Sequence, residues 1–408
     1  MAWNNVFLKN KFILYGYGIS NKKVEEFFLE NNINYVIVED DFEINDNFVI
    51  IKSPGILNDT PFIKKCLKKK LLIINDIELF YLLRPTIKYI GITGTCGKTT
   101  TCTLLYNIMK EKFKVEVCGN IGIPIFTFIN NDLDYLIIEL SSYQLECINK
   151  FRMNYFIILN VFDHHLNHHK TFNNYLSAKF KPIKNLNQDD NLIVNYKLTP
   201  FLNGQSIKSK VFTFSNDLIK DIVSDIGNIN YFQFDFNKEN FSALYILLKE
   251  LRIDKKIIYK ELLKFNNLPN RMEKIIDLDN LIIINDSKST GFMSLKEGIN
   301  HCVNNYKSYK LVVIMGGKTD LEEIRKNIKL IKSLNKYEIY CYGENRFLIS
   351  KLINCKVYDT LETVINNLII LDKLIILFSP AAQSFDQFKS FEERGLHFKK
   401  LIFRKLNH

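Results

Sequence analysis

Gly91-Ile-Thr-Gly-Thr-Cys-Gly-Lys-Thr-Thr-Thr101 follows the apolar run Lys88-Tyr-Ile and opens a helical pattern. A short β run, a turn rich in glycine and threonine, then Lys98 and Thr99 at the start of a helix is how a chain builds a phosphate cradle. Glycines let backbone N–H groups approach the oxyanions, and the new helix turns its positive end toward them. Lys98 would reach the terminal phosphates and Thr99 would offer its hydroxyl to Mg²⁺. The spacing departs from the strict P-loop, because Ile92 stands where its first glycine belongs and the nearby glycines are Gly91 and Gly94. The alternative is a glycine-rich loop that binds nothing. Its place between a strand and a helix favours the cradle.

Outward from this loop, strands and helical segments alternate. Phe12-Ile-Leu-Tyr-Gly16, Tyr35-Val-Ile-Val38, Phe48-Val-Ile-Ile51 and Leu71-Leu-Ile-Ile74 read as buried strands, with helices from Lys22 to Leu29 and along a Lys-rich stretch before Leu71. Such alternation argues for parallel α/β sheets. Gly16-Tyr-Gly18-Ile-Ser20-Asn21 is two-thirds of a dinucleotide fingerprint, with Asn21 in place of the third glycine; a plain strand-to-helix turn and an NAD domain both compete. Arg84-Pro85 reads as a linker, since the residue before proline leaves the helical region. Tyr135-Leu-Ile-Ile138 is a buried strand that delivers Glu139 at its carboxyl end, where ligands bind in parallel sheets. A carboxylate there, beside a phosphate loop, suits Mg²⁺; a solvated strand cap is the plain reading.

At 408 residues, two or three domains are expected, and 47% hydrophobic residues suffice for their cores. A charge of +11 would fit nucleic acid, yet the lysines are scattered, with Lys68-Lys69-Lys70 as the run. The charge reads as compositional and welcomes anionic substrates. Eight cysteines without a Cys-x-x-Cys pair read as reduced thiols. Met1-Ala-Trp-Asn-Asn lacks a signal-peptide pattern, and no run reaches the ~18 apolar residues of a spanning helix, so a soluble cytoplasmic protein is expected, with no nucleic-acid or membrane partner.

Gly-x-Thr-Gly-Thr-x-Gly-Lys-Thr-Thr resembles the ATP-dependent Mur ligases that build the peptidoglycan peptide, and their folate-polyglutamate relatives. Further stretches resemble the D-glutamate-adding branch of that family. They are Ser53-Pro-Gly-Ile56, Asn75-Asp-Ile-Glu-Leu-Phe80, Glu139-Leu-Ser-Ser-Tyr-Gln-Leu-Glu146, Asn174-Tyr-Leu-Ser-Ala-Lys179 and Asn237-Lys-Glu-Asn240-Phe-Ser-Ala243. Asn267-Leu-Pro-Asn-Arg-Met-Glu273, Asn285-Asp-Ser-Lys-Ser-Thr290 and Ser379-Pro-Ala-Ala-Gln-Ser-Phe-Asp-Gln-Phe-Lys-Ser-Phe-Glu-Glu-Arg-Gly-Leu-His-Phe398 carry it through the last third, so the likeness spans Gly16 to Phe398.

The resemblance implies three α/β domains, each with a mostly parallel sheet flanked by helices. Residues 1–84 would bind the UDP substrate, 85–268 would form the central P-loop-like ATP domain, and 269–408 would bind the amino acid; the first and last would be Rossmann-like. It implies an ATP-dependent ligase joining D-glutamate to UDP-N-acetylmuramoyl-L-alanine through an acyl phosphate, as a monomer, with closure around one site that keeps water from the intermediate. Gly94, Thr95, Gly97, Lys98, Thr99, Thr100, Asn237, Arg271, Asp286 and Lys288 would serve ATP. Gly18, Ile19, Ser20 and Asn120 would serve the UDP substrate; Thr290, Lys318, Ser384 and Phe391 would serve D-glutamate.

Two Mg²⁺ ions would be held by Thr99, Glu139, His165 and a carbamylated Lys179, with Lys98, Glu139, His165 and Lys179 as the catalytic set. An ammonium at Lys179 would repel the metals, whereas a carbamate presents anionic oxygens. Asn160-Val-Phe-Asp-His-His-Leu-Asn-His-His169 departs from the family pattern at His164 and Asn167, where it has aspartates, and His164 is the fallback ligand. Four of the seven histidines fall in this stretch, and a zinc site is the rival reading, although adjacent histidines on a loop seldom reach one metal. Gly291, for the usual asparagine, is another departure. Three readings stay open beside the D-glutamate ligase: another Mur or folylpolyglutamate-type ligase, a P-loop kinase or ATPase, and a binding module that has lost activity.

Overall fold

The computed structural model describes residues 10–44, 48–227, 229–266 and 268–407, so Met1-Ala-Trp-Asn-Asn and Asn267 lie outside the described residues. Three sheets follow one another along the chain. The first holds β1 (Lys11–Tyr15), β2 (Tyr35–Val38), β3 (Phe48–Lys52) and β4 (Leu72–Ile74), all parallel, in the order β2-β1-β3-β4.

The second holds β5 (Lys88–Thr93), β6 (Val115–Gly119), β7 (Tyr135–Leu140), β8 (Tyr155–Ile158), β9 (Asn191–Asn195) and β10 (Lys210–Phe214). Its order is β10-β9-β8-β5-β7-β6, again parallel throughout. β5 and β7 are buried along nearly their whole length, as strands covered on both faces by helices must be, which is why they read as unbroken apolar runs.

The third holds β11 (Glu273–Leu278), β12 (Leu281–Asn285), β13 (Lys310–Gly316), β14 (Glu338–Tyr342), β15 (Lys356–Val357) and β16 (Leu374–Phe378) in the order β11-β12-β16-β13-β14-β15. β11 alone runs antiparallel to its neighbour. The mostly parallel three-domain α/β architecture expected from the sequence is therefore present.

By compactness the chain divides into residues 1–265 and 266–408. Within the first unit, one apolar core takes residues from both sheets, among them Phe12, Phe27, Phe80, Tyr89, Phe126 and Leu192. Phe126 stands 5.4 Å from Phe27 and 5.7 Å from Phe80, ring centre to ring centre. Polar joints reinforce this core. The buried Glu78 carboxylate accepts from the backbone N–H groups of Asn149 (2.9 Å), Lys150 (2.6 Å) and Phe151 (3.0 Å). Asn75 donates to the Gln144 carbonyl at 2.8 Å, and Arg84 donates to the carbonyls of Ile129 and Asn131. The Asn75–Phe80 motif and the Arg84 linker thus tie the first sheet to the second.

Candidate active site

The chain order reverses at β5, which lies between β7 and β8. Loops leaving the carboxyl ends of those three strands meet there, at the switch point where open α/β sheets bind ligands. The loop 94–97 leaves β5 and enters the helix Lys98–Met109 through Gly97, whose φ of +84° favours glycine. A Cβ at Gly97 would run into the Asn240 side chain, so Asn240 forms the wall behind the loop. The helix has no side-chain cap, which leaves its positive end to whatever anion the loop receives. Asn160, at the end of β8, fixes the loop's other side. Its carbonyl accepts from Thr95 N at 3.0 Å, its Oδ1 from Cys96 N at 2.9 Å, and its Nδ2 donates to Cys96 O at 3.1 Å.

Two lysines meet at this loop. Lys98 Nζ donates to Gly94 O at 2.8 Å and Thr95 O at 3.0 Å. Lys179 Nζ donates to the same Gly94 oxygen at 2.9 Å and lies 3.3 Å from Thr93 Oγ1. Lys179 is only 1% exposed and sits over the Tyr175 ring, whose hydroxyl is 3.1 Å from Thr95 Oγ1. Burial, and then the charge of Lys98, push the Lys179 ammonium well below its usual range. The neutral amine is therefore favoured.

Glu139, 2% exposed near the end of β7, accepts from Asn120 Nδ2 at 2.9 Å through Oε1. Its Oε2 is buried with no hydrogen-bond partner among the described residues. A buried, half-satisfied carboxylate gains most from a cation, so the donor set here fits Mg²⁺. Asn120, expected beside the UDP substrate, is here the group that orients Glu139. His164 is lowered to about 4 by burial and then by Lys98 and Lys179. His165 is lowered to about 2 by burial, His164 and the same lysines. Both imidazoles are held neutral, the form that binds a metal. His165 has a left-handed backbone (φ +54°) and its ring lies 5.1 Å from that of Tyr143.

Asn237 lies one turn before Asn240 on the helix Asp235–Glu250 and donates to Tyr231 O at 2.9 Å. In the first sheet, Gly18 caps the helix Ile19–Glu30, Ile19 is exposed, and Ser20 hydrogen-bonds the buried Asp76, whose carboxyl burial raises to about 6. Asn21, in the place of a fingerprint glycine, donates to Gly16 O (2.8 Å) and Ile51 O (3.0 Å) and so shapes that turn.

Beyond Glu139, the helix Ser142–Glu146 faces the histidine loop. His168 Nε2 stands 2.9 Å from Glu146 Oε2 and His169 Nδ1 3.0 Å from Oε1. Burial alone would raise the Glu146 carboxyl, but hydrogen bonds with His169 and His168 hold it below its usual range.

In the second unit the loops after β12, β13 and β16 converge. Lys318 and Gln383 pair as an antiparallel bridge, N to O distances 3.0 and 2.9 Å, which brings Lys318 beside the loop that carries Ser384. Lys288 Nζ lies 3.8 Å from the Phe391 ring centre, Thr290 is half-buried just beyond it, and Ser384 is buried. The fully buried Arg394 braces these loops. It donates to Ser287 O (2.7 Å), Ser287 Oγ (3.1 Å) and Ala382 O (3.0 Å). Arg394 and Asn160 stand inside sequence motifs that assign neither of them a role.

Asp286 accepts from Ser379 Oγ at 2.9 Å and Met272 N at 3.1 Å, and Arg271 acts on it electrostatically. Burial pushes its carboxyl up to about 7. The native state then keeps a proton that the unfolded chain releases near 4. This contribution is complete below pH 4 and is lost as pH rises toward 7, at ~1.4 kcal/mol per unit. Asp286→Asn should therefore gain in melting temperature over the parent at pH 8 and not at pH 4. Parallel melting curves across that window would refute the assignment.

Residues 92–250 match the family model of the Mur ligase middle domain. The chain is 32% identical to UDP-N-acetylmuramoylalanine–D-glutamate ligase of Clostridioides difficile over 403 residues, 90% of this chain and 87% of that one. It is 30% identical to the Buchnera aphidicola protein of that name, covering 97% and 98%. Among solved structures, the MurF ligase of Thermotoga maritima in complex with ADP aligns with a TM-score of 0.64 over 98% of both chains at 15% identity, a likeness of fold.

Proposed function

The chain belongs to the Mur ligase family, and from that premise we propose that it joins D-glutamate to UDP-N-acetylmuramoyl-L-alanine, forming ADP and phosphate. The relatives are named as UDP-N-acetylmuramoylalanine–D-glutamate ligases, which supports ATP-dependent ligation in peptidoglycan precursor synthesis. The observation that carries the reading is the convergence of Lys98 and Lys179 on one Gly94 oxygen, beside a Glu139 with an open oxygen.

Joining a carboxylate to an amine needs an activated carboxylate. Transfer of the γ-phosphoryl of ATP to the substrate carboxylate gives an acyl phosphate and ADP. The amine then attacks the carbonyl carbon, loses a proton and expels phosphate. Lys98 leaves its two loop carbonyls to neutralise the phosphates, and the amides at the start of its helix cradle them. Lys179, whose charged form burial disfavours, has as a free amine the lone pair that adds to CO₂. Release of a proton then leaves a carbamate, and the uncharged amine becomes an anion.

Thr99, Glu139, His165 and the carbamate would hold Mg²⁺, which neutralises phosphate charge when bound. Asn237, Arg271, Asp286 and Lys288 serve the nucleotide; Gly18, Ile19, Ser20 and Asn120 serve the UDP substrate. The D-glutamate choice rests on Thr290, Lys318, Ser384 and Phe391, whose loops Arg394 braces. We place the enzyme in the cytoplasm, as a monomer. Among the described residues no helix is long and apolar enough to cross a membrane.

The test is phosphate release from ATP, Mg²⁺ and UDP-N-acetylmuramoyl-L-alanine, which should appear only when D-glutamate is added. Equal turnover with L-lysine or diaminopimelate would move the enzyme to a later amino-acid addition. Release without any amino acid would make it an ATPase.

A further inference from the structure

The histidine-rich loop holds a second cluster that the ligase reaction does not use. Glu146, His168 and His169 present ligand atoms that all lie within 4.8 Å of one another. His168 Nε2 stands 2.9 Å from Glu146 Oε2 and 3.1 Å from Oε1, and His169 Nδ1 stands 3.0 Å from Oε1. The side chains are 7%, 18% and 1% exposed for His168, Glu146 and His169, so most of the site is dry. In a tetrahedron of bonds near 2.05 Å, neighbouring ligand atoms are about 3.3 Å apart. The two histidine–carboxylate separations are already within a few tenths of an ångström of that spacing, and the third pair lies within 4.8 Å.

The surrounding bonds are those a metal site uses to aim its ligands. The second nitrogen of His169, Nε2, is 2.9 Å from Ser142 Oγ, which fixes the ring's orientation. Asn58 Nδ2 donates to Glu146 Oε2 at 2.8 Å, which orients the carboxylate. The nearby Lys181 donates to the Glu146 backbone carbonyl, so its ammonium does not occupy the carboxylate. Two imidazoles and one carboxylate select zinc-class ions over Mg²⁺, which takes oxygen ligands.

We infer that Glu146, His168 and His169 form a binding site for a zinc-class divalent cation, separate from the nucleotide's metals, with a water in the fourth position. Its effect would be structural. The Tyr143 ring packs against His165 at 5.1 Å, His168 at 4.4 Å and His169 at 5.6 Å, so an ion there pins the loop from which His165 projects.

The experiment uses the full chain, stripped with chelator and dialysed against ZnCl₂ or CoCl₂ with saturating Mg²⁺ to occupy oxygen-rich sites. One equivalent of zinc should remain by elemental analysis, and Co²⁺ should give a d–d absorption band. Glu146→Gln and His168→Gln should each lose the equivalent and the band; His165→Gln should keep both. Circular dichroism of each variant separates loss of the site from loss of the fold, and a variant that unfolds is replaced by His168→Asn. No zinc retained by the parent chain, or retention unchanged in folded Glu146→Gln and His168→Gln, would overturn the inference and leave a hydrogen-bonded clamp. Loss in His165→Gln alone would also overturn it, by placing the ion at the nucleotide's metals. The readout is metal content, so failure of the D-glutamate assay leaves this test intact.

Discussion

Lys179→Met should abolish amino-acid-dependent phosphate release, by on the order of 10²–10³-fold or more, while the protein melts no lower than the parent. The two halves of this expectation have one cause. Lys179 is almost wholly buried, and it hydrogen-bonds neutral oxygens, Gly94 O and Thr93 Oγ1. Folding must strip the proton or bury the charge, and either costs stability. Methionine fills similar space without that cost. Because the native amine is the weaker base, the unfolded lysine binds more protons below about pH 10, and the parent gains stability as pH rises. The advantage of Lys179→Met should therefore be largest near neutrality and shrink toward pH 10. A variant that stays active, measured as phosphate release with D-glutamate, would remove Lys179 from the mechanism. A large loss of melting temperature would make its role structural.

Arg394→Ala should do the opposite and damage the fold first. Three acceptors, Ser287 O, Ser287 Oγ and Ala382 O, would lose their donor in a place water does not reach. A cavity would open beside them. Orphaned buried acceptors and a lost large side chain together predict about 3–5 kcal/mol of destabilisation. Arg394→Lys should recover little, since one ammonium cannot span two loops as a planar guanidinium does. Both variants should also raise the KM for D-glutamate, because the loops carrying Thr290 and Ser384 share this brace. Thermal unfolding that matched the parent in Arg394→Ala would show that the loops hold themselves.

How far the sequence foretold these features depended on whether the deciding forces were local. β5, β7 and the other central strands were legible because covering both faces of a parallel strand demands an unbroken apolar run. The loop before Lys98 was legible because its glycine and its helix start are neighbours in the chain. Glu146 with His168 was not: the pair is separated by 22 residues, and adjacent histidines on an irregular loop are expected to diverge. The short helix Leu166–His169 turns both imidazoles to a carboxylate lying between them. Nor did the motif around Asn75 announce its use. It read as part of a substrate-binding domain, whereas its Glu78 closes three amides of the loop that leads into β8. Arg394 was equally silent, since two of the three acceptors that hold it are more than a hundred residues away at Ser287.

The core and the Glu78 joint shared by the first two sheets set the grain along which this protein can be recombined. Severing the chain at Arg84-Pro85 would leave Phe27 and Phe80 facing water on one fragment and Phe126 on the other, with the Asn149–Phe151 amides uncapped. Residues 1–265 therefore make one cassette, to be moved whole, and under the proposed function residues 266–408 are the piece to exchange in order to alter the amine.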